Sequence, residues 1–277
     1  MQAISKGNNH GRRAMTVLGL ALLALVASGR LVAQSPSDAN QAGFELSDDW
    51  VLEVDGVGDS GAKIYSSSQS RAILVMRSDG GAPVLIWPRS RVVETLNLMG
   101  VANRGEGFVE ILKNPVLATH GPFEVVGTTV VLRIDGSELH LKPKPALVGL
   151  YDAAGMLDNS KVYARRADAY QPVAETLAKL KSVPGNVRVR VFFGSWCPAC
   201  SQMVPRILNV AGNLNETNLN FEFYGLPKGF QGEPEATRYN ISSVPTGVVF
   251  VDEKEVGRLA GNDWRSPESA LWKLLGS

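Results

Sequence analysis

The run Val187-Arg188-Val189-Arg190-Val191-Phe192-Phe193 stops at Gly194-Ser195-Trp196 and passes straight into Cys197-Pro198-Ala199-Cys200. Alternating β-branched and aromatic residues predict a sheet strand. Over 200–212 the apolar residues Met203, Val204, Ile207, Leu208 and Ala211 recur every three or four positions, which predicts an amphipathic helix stopped by Gly212. A strand therefore feeds a helix through one turn, and that turn holds both cysteines of the 277-residue chain. Structural disulfides usually join distant segments. Two thiols three positions apart instead close a small reversible ring, so the pair reads as a thiol–disulfide redox site. At a helix N-terminus, unpaired N–H groups and the helix dipole stabilise a thiolate, and thiols so placed have pKa values of roughly 3.5–7.5. In such a turn the first sulfur is accessible and the second faces the protein. Cys197 is thus the expected nucleophile and Cys200 the resolving thiol.

Other uses of a CxxC fit poorly. Tetrahedral zinc needs about four ligands, but no further cysteine exists and His10, His120 and His140 fall in other segments. Haem attachment calls for a histidine after the second cysteine, where Ser201 stands. No metal and no cofactor is expected. His120 and His140 lack ligand-like spacing, and no glycine-rich phosphate loop is present.

The strand, the WCxxC turn and the helix resemble the thioredoxin superfamily, and the resemblance runs on over residues 161–277. Pro205 stands where thioredoxins carry a helix-kinking proline. Ser243-Val244-Pro245-Thr246, followed by the strand-like Gly247-Val248-Val249-Phe250-Val251, resembles the family's cis-proline loop. This implies a cis bond between Val244 and Pro245. Asp252-Glu253-Lys254 then turns a hairpin, 255–260 is its return strand, and Ser266-Pro267 opens a terminal helix with an N-cap and a proline at its first position. The resemblance implies an α/β thioredoxin-like fold and a site in which Trp196, Pro198, Ala199, Val244 and Pro245 support the two cysteines. Two departures stand out. The dipeptide between the cysteines is Pro198-Ala199, with no charge or histidine, which leans the site towards reductase; Val244 before the proline pulls weakly towards oxidase. Thioredoxins also bear a buried acid where this chain has Val191. Glu222 is the one candidate replacement, and a solvated strand residue is its simpler reading.

Lys6, Arg12 and Arg13 precede an apolar run over 14–27 and then small residues, the layout of a cleaved secretory signal. Cleavage is placed after Ser28 or Ala33. The run is short of the roughly 20 residues a spanning helix needs, so an uncleaved anchor is the alternative and the only membrane contact expected. The chain is thus divided into a signal (1–33), a linker (34–44), a β-rich domain (45–150) and the thioredoxin-like domain (161–277). Export to an oxidising space, most naturally a periplasm, suits a chain with no cysteine beyond its active pair to mispair.

The β-rich domain is expected to be a sandwich or small barrel, with strands at 50–54, 72–76, 84–87, 91–96 and 129–134. Asp135-Gly136 turns a hairpin. Trp50 and Trp87 read as core, and 172–180 as a helix. A formal charge of +1 gives no reason to expect nucleic acid. The expected function is an exported thiol–disulfide oxidoreductase acting on protein cysteines and recharged by an electron-transfer partner. A scaffold whose β-rich domain binds a partner, with the CxxC as a minor switch, is the alternative.

Overall fold

The computed structural model describes residues 43–276, apart from residue 106. The expected signal segment and residues 34–42 of the expected linker lie outside the described residues. Apart from a 3-10 turn at Leu98–Gly100, the regular elements of the first half are strands: β1 (Gly43–Leu46), β2 (Trp50–Val54), β3 (Val57–Gly58), β4 (Lys63–Ser66), β5 (Ile73–Met76), β6 (Val84–Trp87) and β7 (Val92–Leu96). They continue through β8 (Val101–Gly105), β9 (Phe108–Ile111), β10 (Leu117–Pro122), β11 (Glu124–Val126), β12 (Thr129–Ile134) and β13 (Ser137–Pro143). Eight strands pair in the order β10-β7-β6-β5-β4-β1-β9-β8 and five in the order β11-β12-β13-β2-β3.

Because side chains alternate across a strand, successive residues of β4, β5 and β6 divide between two cores. Ile64, Val75, Val84 and Ile86 meet Leu52, Leu132, Leu139 and Leu141 of the five-stranded sheet. Tyr65, Leu74, Leu85 and Trp87 gather on the other face with Phe44, Leu96 and Ile111. That second cluster comes from strands of the same sheet and the loops between them, so the large sheet curls around it. Burial on both faces explains why β5 and β6 read as unbroken apolar runs. Phe44 is fully buried, worth on the order of 1.5–3 kcal/mol. This draws Gly43 and Phe44, the last two residues of the expected linker, into β1. In the β12–β13 hairpin, Asp135 and Gly136 both have positive φ (51° and 87°), as a two-residue primed turn requires.

The second half alternates strand and helix: β14 (Gly149–Tyr151), α1 (Ala153–Asn159), α2 (Lys161–Asp168), α3 (Ala174–Leu180), β15 (Val187–Phe193), α4 (Pro198–Asn213) and β16 (Leu219–Gly225). After these come α5 (Pro234–Arg238), β17 (Thr246–Val251), β18 (Lys254–Leu259) and α6 (Pro267–Leu275). The sheet order is β14-β16-β15-β17-β18, with β15 parallel to β16 and antiparallel to β17. Val187, Val189, Val191 and Phe193 enter the core shared with α4; Phe192 enters the opposite core, which includes Ala236 of α5. The sequence predicts that Gly212 ends α4, and it does not. Its backbone stays out of the left-handed region that a glycine cap uses, and the helix closes at Leu214.

α2 ties the two halves together. Ser160 caps it, accepting from the Tyr163 amide at 3.0 Å and donating its hydroxyl to Asp48, which follows β1. No helix among the described residues is long and apolar enough to cross a membrane.

Candidate functional site

β15 ends at the centre of its sheet, so the turn after it projects the cysteines where α4 begins. Cys197 is the N-cap: its Sγ accepts from the Cys200 amide at 3.3 Å, and its own amide donates to the Gly194 carbonyl at 2.9 Å. Pro198 opens the helix and, like Ala199, is exposed. Both cysteines are free thiols. Cys197 is 8 % exposed and Cys200 0 %, the order of access expected of an attacking and a resolving thiol. Burial pushes the Cys200 thiol well above its ordinary range, against the Gly194 amide, which donates to its Sγ at 3.4 Å.

The flanking segments are held by partly buried bonds. Trp196 Nε1 donates to the Leu226 carbonyl at 2.8 Å, and its ring stacks on Phe230. Ser195 Oγ accepts from the Leu147 amide at 2.9 Å. The Val244–Pro245 bond is cis. That loop sits against the turn, with the Cys197 thiol 3.7 Å from the Val244 carbonyl oxygen. Trp264, from the 3-10 turn Gly261–Arg265, braces it from behind by donating Nε1 to the Pro245 carbonyl at 3.1 Å. Trp196, Pro198, Ala199, Val244 and Pro245 therefore all lie within the turn or the loop facing it.

Glu222 does not serve this site. It lies on the far face of the sheet, 2.7 Å from Arg190 Nε and 3.6 Å from Arg188, because its neighbours Phe221 and Phe223 take the α4 face. It is neither a base for the cysteines nor a freely solvated residue. Val191 is fully buried in the α4 core. His120 pairs with Thr95 and His140 with Glu138, both at 2.8 Å, and Trp87 is core.

Sequence reading missed a second set of residues beside the turn. Arg166 of α2 donates to the Ser201 carbonyl at 2.8 Å and to its hydroxyl at 2.5 Å, and to Glu45 of β1 at 2.7 Å. Arg165 also pairs with Glu45. The first strand of the β half is thus wired to the residue after Cys200. Partial burial alone would raise the Glu45 carboxyl, but the bonds and charges of Arg166 and Arg165 outweigh it and hold the group below its ordinary 4.5. The contribution to stability is therefore full above that ordinary value and is lost as pH falls through the lower folded value. For pairs this exposed, solvent screening limits it to about 1 kcal/mol, or about 2–4 °C in melting temperature. Thermal melts at pH 7 and pH 3 are expected to show wild type losing that much more than Glu45→Gln.

Part of the chain is similar in sequence to thioredoxins. No protein-family model matches the chain. A thioredoxin of Chlamydia pneumoniae is 31% identical over 70 residues, 25% of this chain and 64% of that protein. A thioredoxin of Chlamydia trachomatis is 34% identical over 71 residues, again 25% and 64%. The chain thus spans about 64% of the length of the thioredoxins it matches. Among solved structures, Fasciola hepatica thioredoxin is 26% identical and aligns over 36% of this chain and 88% of its own, with a TM-score of 0.27. Mitochondrial thioredoxin 3 of Saccharomyces cerevisiae is 18% identical over 40% of this chain and 97% of its own, with a TM-score of 0.26.

Proposed function

We propose that the protein is an exported thiol–disulfide oxidoreductase that exchanges disulfides with protein cysteines and leans towards reduction. The observation that carries this reading is Cys197 as N-cap of α4, its sulfur on the Cys200 amide and 3.7 Å from the carbonyl oxygen before the cis-proline. The helix N-terminus favours negative charge on that sulfur. The Cys197 thiolate attacks one sulfur of a substrate disulfide; a mixed disulfide forms and the other substrate sulfur leaves as thiolate. Cys200, having lost its proton, attacks Cys197 Sγ. The Cys197–Cys200 bond forms, the second substrate thiolate leaves, and two electrons have passed to the substrate. Val244 and Pro245 offer backbone to an extended substrate strand, while Trp196, Pro198 and Ala199 shape the turn. A separate electron donor restores the dithiol. Export rests on the basic and apolar pattern of residues 1–33, and a periplasm is the compartment proposed, with a membrane anchor the outcome if the segment stays on.

Two measurements test this. With dithiothreitol as electron source, wild type is expected to reduce insulin disulfides and Cys197→Ser to do so no faster than buffer; equal rates would overturn the reading. Equilibration against glutathione buffers is expected to give a potential nearer the −270 mV of thioredoxin than the −120 mV of strong disulfide donors, values typical of those proteins. The latter value would make the protein an oxidase.

A further inference from the structure

A proline inside a helix has no N–H to give the carbonyl four residues back, and its ring crowds that carbonyl. In α4 the proline is Pro205, and the carbonyl deprived of its helical donor is that of Ser201, next to Cys200. We propose that Arg166 supplies the missing donor and is thereby the positioning residue of the two-cysteine turn, linked through Glu45 to the β half. This rests on the redox reading of the cysteine pair.

Arg166 Nη1 donates to the Ser201 carbonyl at 2.8 Å and to the Ser201 hydroxyl at 2.5 Å. The guanidinium thus does for that carbonyl what a backbone amide at 205 does in an unbroken helix. One turn beyond Pro205, Asn209 Nδ2 donates to the Ala167 carbonyl at 2.9 Å. Two adjacent residues of α2 therefore hold α4 on both sides of its proline. The brace is itself fixed, because Arg166 Nη2 donates to Glu45 at 2.7 Å. Glu45 also offsets the positive charge, so what Arg166 brings to α4 is a set of aimed donors rather than a bare cation. Holding Ser201 bears directly on the cysteines. The Ser201 amide closes the first turn of α4 on the Cys197 carbonyl at 3.0 Å, and the Cys200 amide meets Cys197 Sγ at 3.3 Å. Resolution requires Cys200 Sγ to come in line with the mixed disulfide on Cys197, and steps of this kind slow steeply with small misplacements. A turn released at Ser201 would let Cys197 attack but leave Cys200 badly aimed.

The experiment mixes reduced protein with 5,5′-dithiobis(2-nitrobenzoate). The Cys197 thiolate takes half of the reagent as a mixed disulfide and releases one coloured thiolate. Cys200, its proton lost to solvent, then attacks Cys197 Sγ and releases the second, so the Cys197–Cys200 disulfide forms and two electrons pass to the reagent. Measured well below the melting temperature, Arg166→Met is expected to slow the second release roughly tenfold relative to the first. Pro205→Ala returns an amide to position 205, and in that background the same change is expected to slow it by less than about twofold, since the two sites are coupled through one carbonyl. Equal slowing in both backgrounds overturns the proposal, because Arg166 would then act by another route than the Ser201 carbonyl. No slowing by Arg166→Met overturns it as well and leaves the arginine a purely structural tie. If Arg166→Met alone fails to fold, Pro205→Ala is expected to restore folding, and a double variant that stays unfolded counts equally against it. No first release from wild type would instead overturn the redox reading.

Discussion

Cys200→Ser is expected to abolish turnover while leaving the first half of the reaction intact. Cys197 keeps its place at the head of α4, and a serine at 200 retains the amide that donates to its sulfur. It still attacks. A serine hydroxyl at 200 is no nucleophile without a base to activate it, so the mixed disulfide persists. Multiple-turnover reduction should fall by at least about a thousandfold, as when a working nucleophile is removed. Stability should change little, because the Gly194 amide that donates to Cys200 Sγ can donate to the smaller oxygen. Intact-protein mass spectrometry after mixing with a model disulfide peptide is expected to show one adduct on Cys200→Ser, none on Cys197→Ser and only a transient one on wild type. Wild-type turnover by Cys200→Ser would remove Cys200 from the mechanism. An adduct on Cys197→Ser would put the first attack elsewhere.

What could be read in the sequence was whatever is complete within a few residues. The strand, the two cysteines and the start of α4 are contiguous, so their chemistry lies in one segment. The β12–β13 hairpin was legible for the same reason, since Asp135-Gly136 sets both turn and register. Elements whose worth depends on distant partners were not. The first two residues of β1 lie in a stretch that reads as linker until Phe44 meets Tyr65 and Ile111 in one core. Arg166 and Tyr163 look like ordinary positions of a short polar helix; only the packing of α2 on α4 brings one to Ser201 and the other to the cysteine core. Glu222 illustrates the converse. Its type suited a base, but strand alternation put it on the Arg190 face, and no local signal gave the hand of β16. The proline loop, far along the chain from the cysteines, was legible through resemblance alone.

Trp264 is where fold and site are most closely joined, and Trp264→Ala is expected to damage both. The indole is 1 % exposed, packs in the α4 core and lies over Gly247, where any added Cβ would come to 3.5 Å of the ring. Removing a buried tryptophan leaves a cavity and costs about 3–5 kcal/mol, or roughly 10 °C in melting temperature for a chain of this size. The Pro245 carbonyl also loses its donor. The loop that sets the Val244 carbonyl against Cys197 would then keep its own Thr246 hydroxyl bond to the Ser243 carbonyl at 2.8 Å and the packing of Val244, without the indole brace. Trp264→Phe separates the two effects, because it keeps most of the bulk and deletes the N–H. It should cost about 1–3 kcal/mol and, measured well below its melting temperature, raise KM for a disulfide peptide more than it lowers kcat. The reason is that, in the proposed function, the loop binds substrate backbone while the cysteines do the chemistry. If Trp264→Phe melts lower but leaves KM untouched, the indole is core alone and the proline loop holds its own shape.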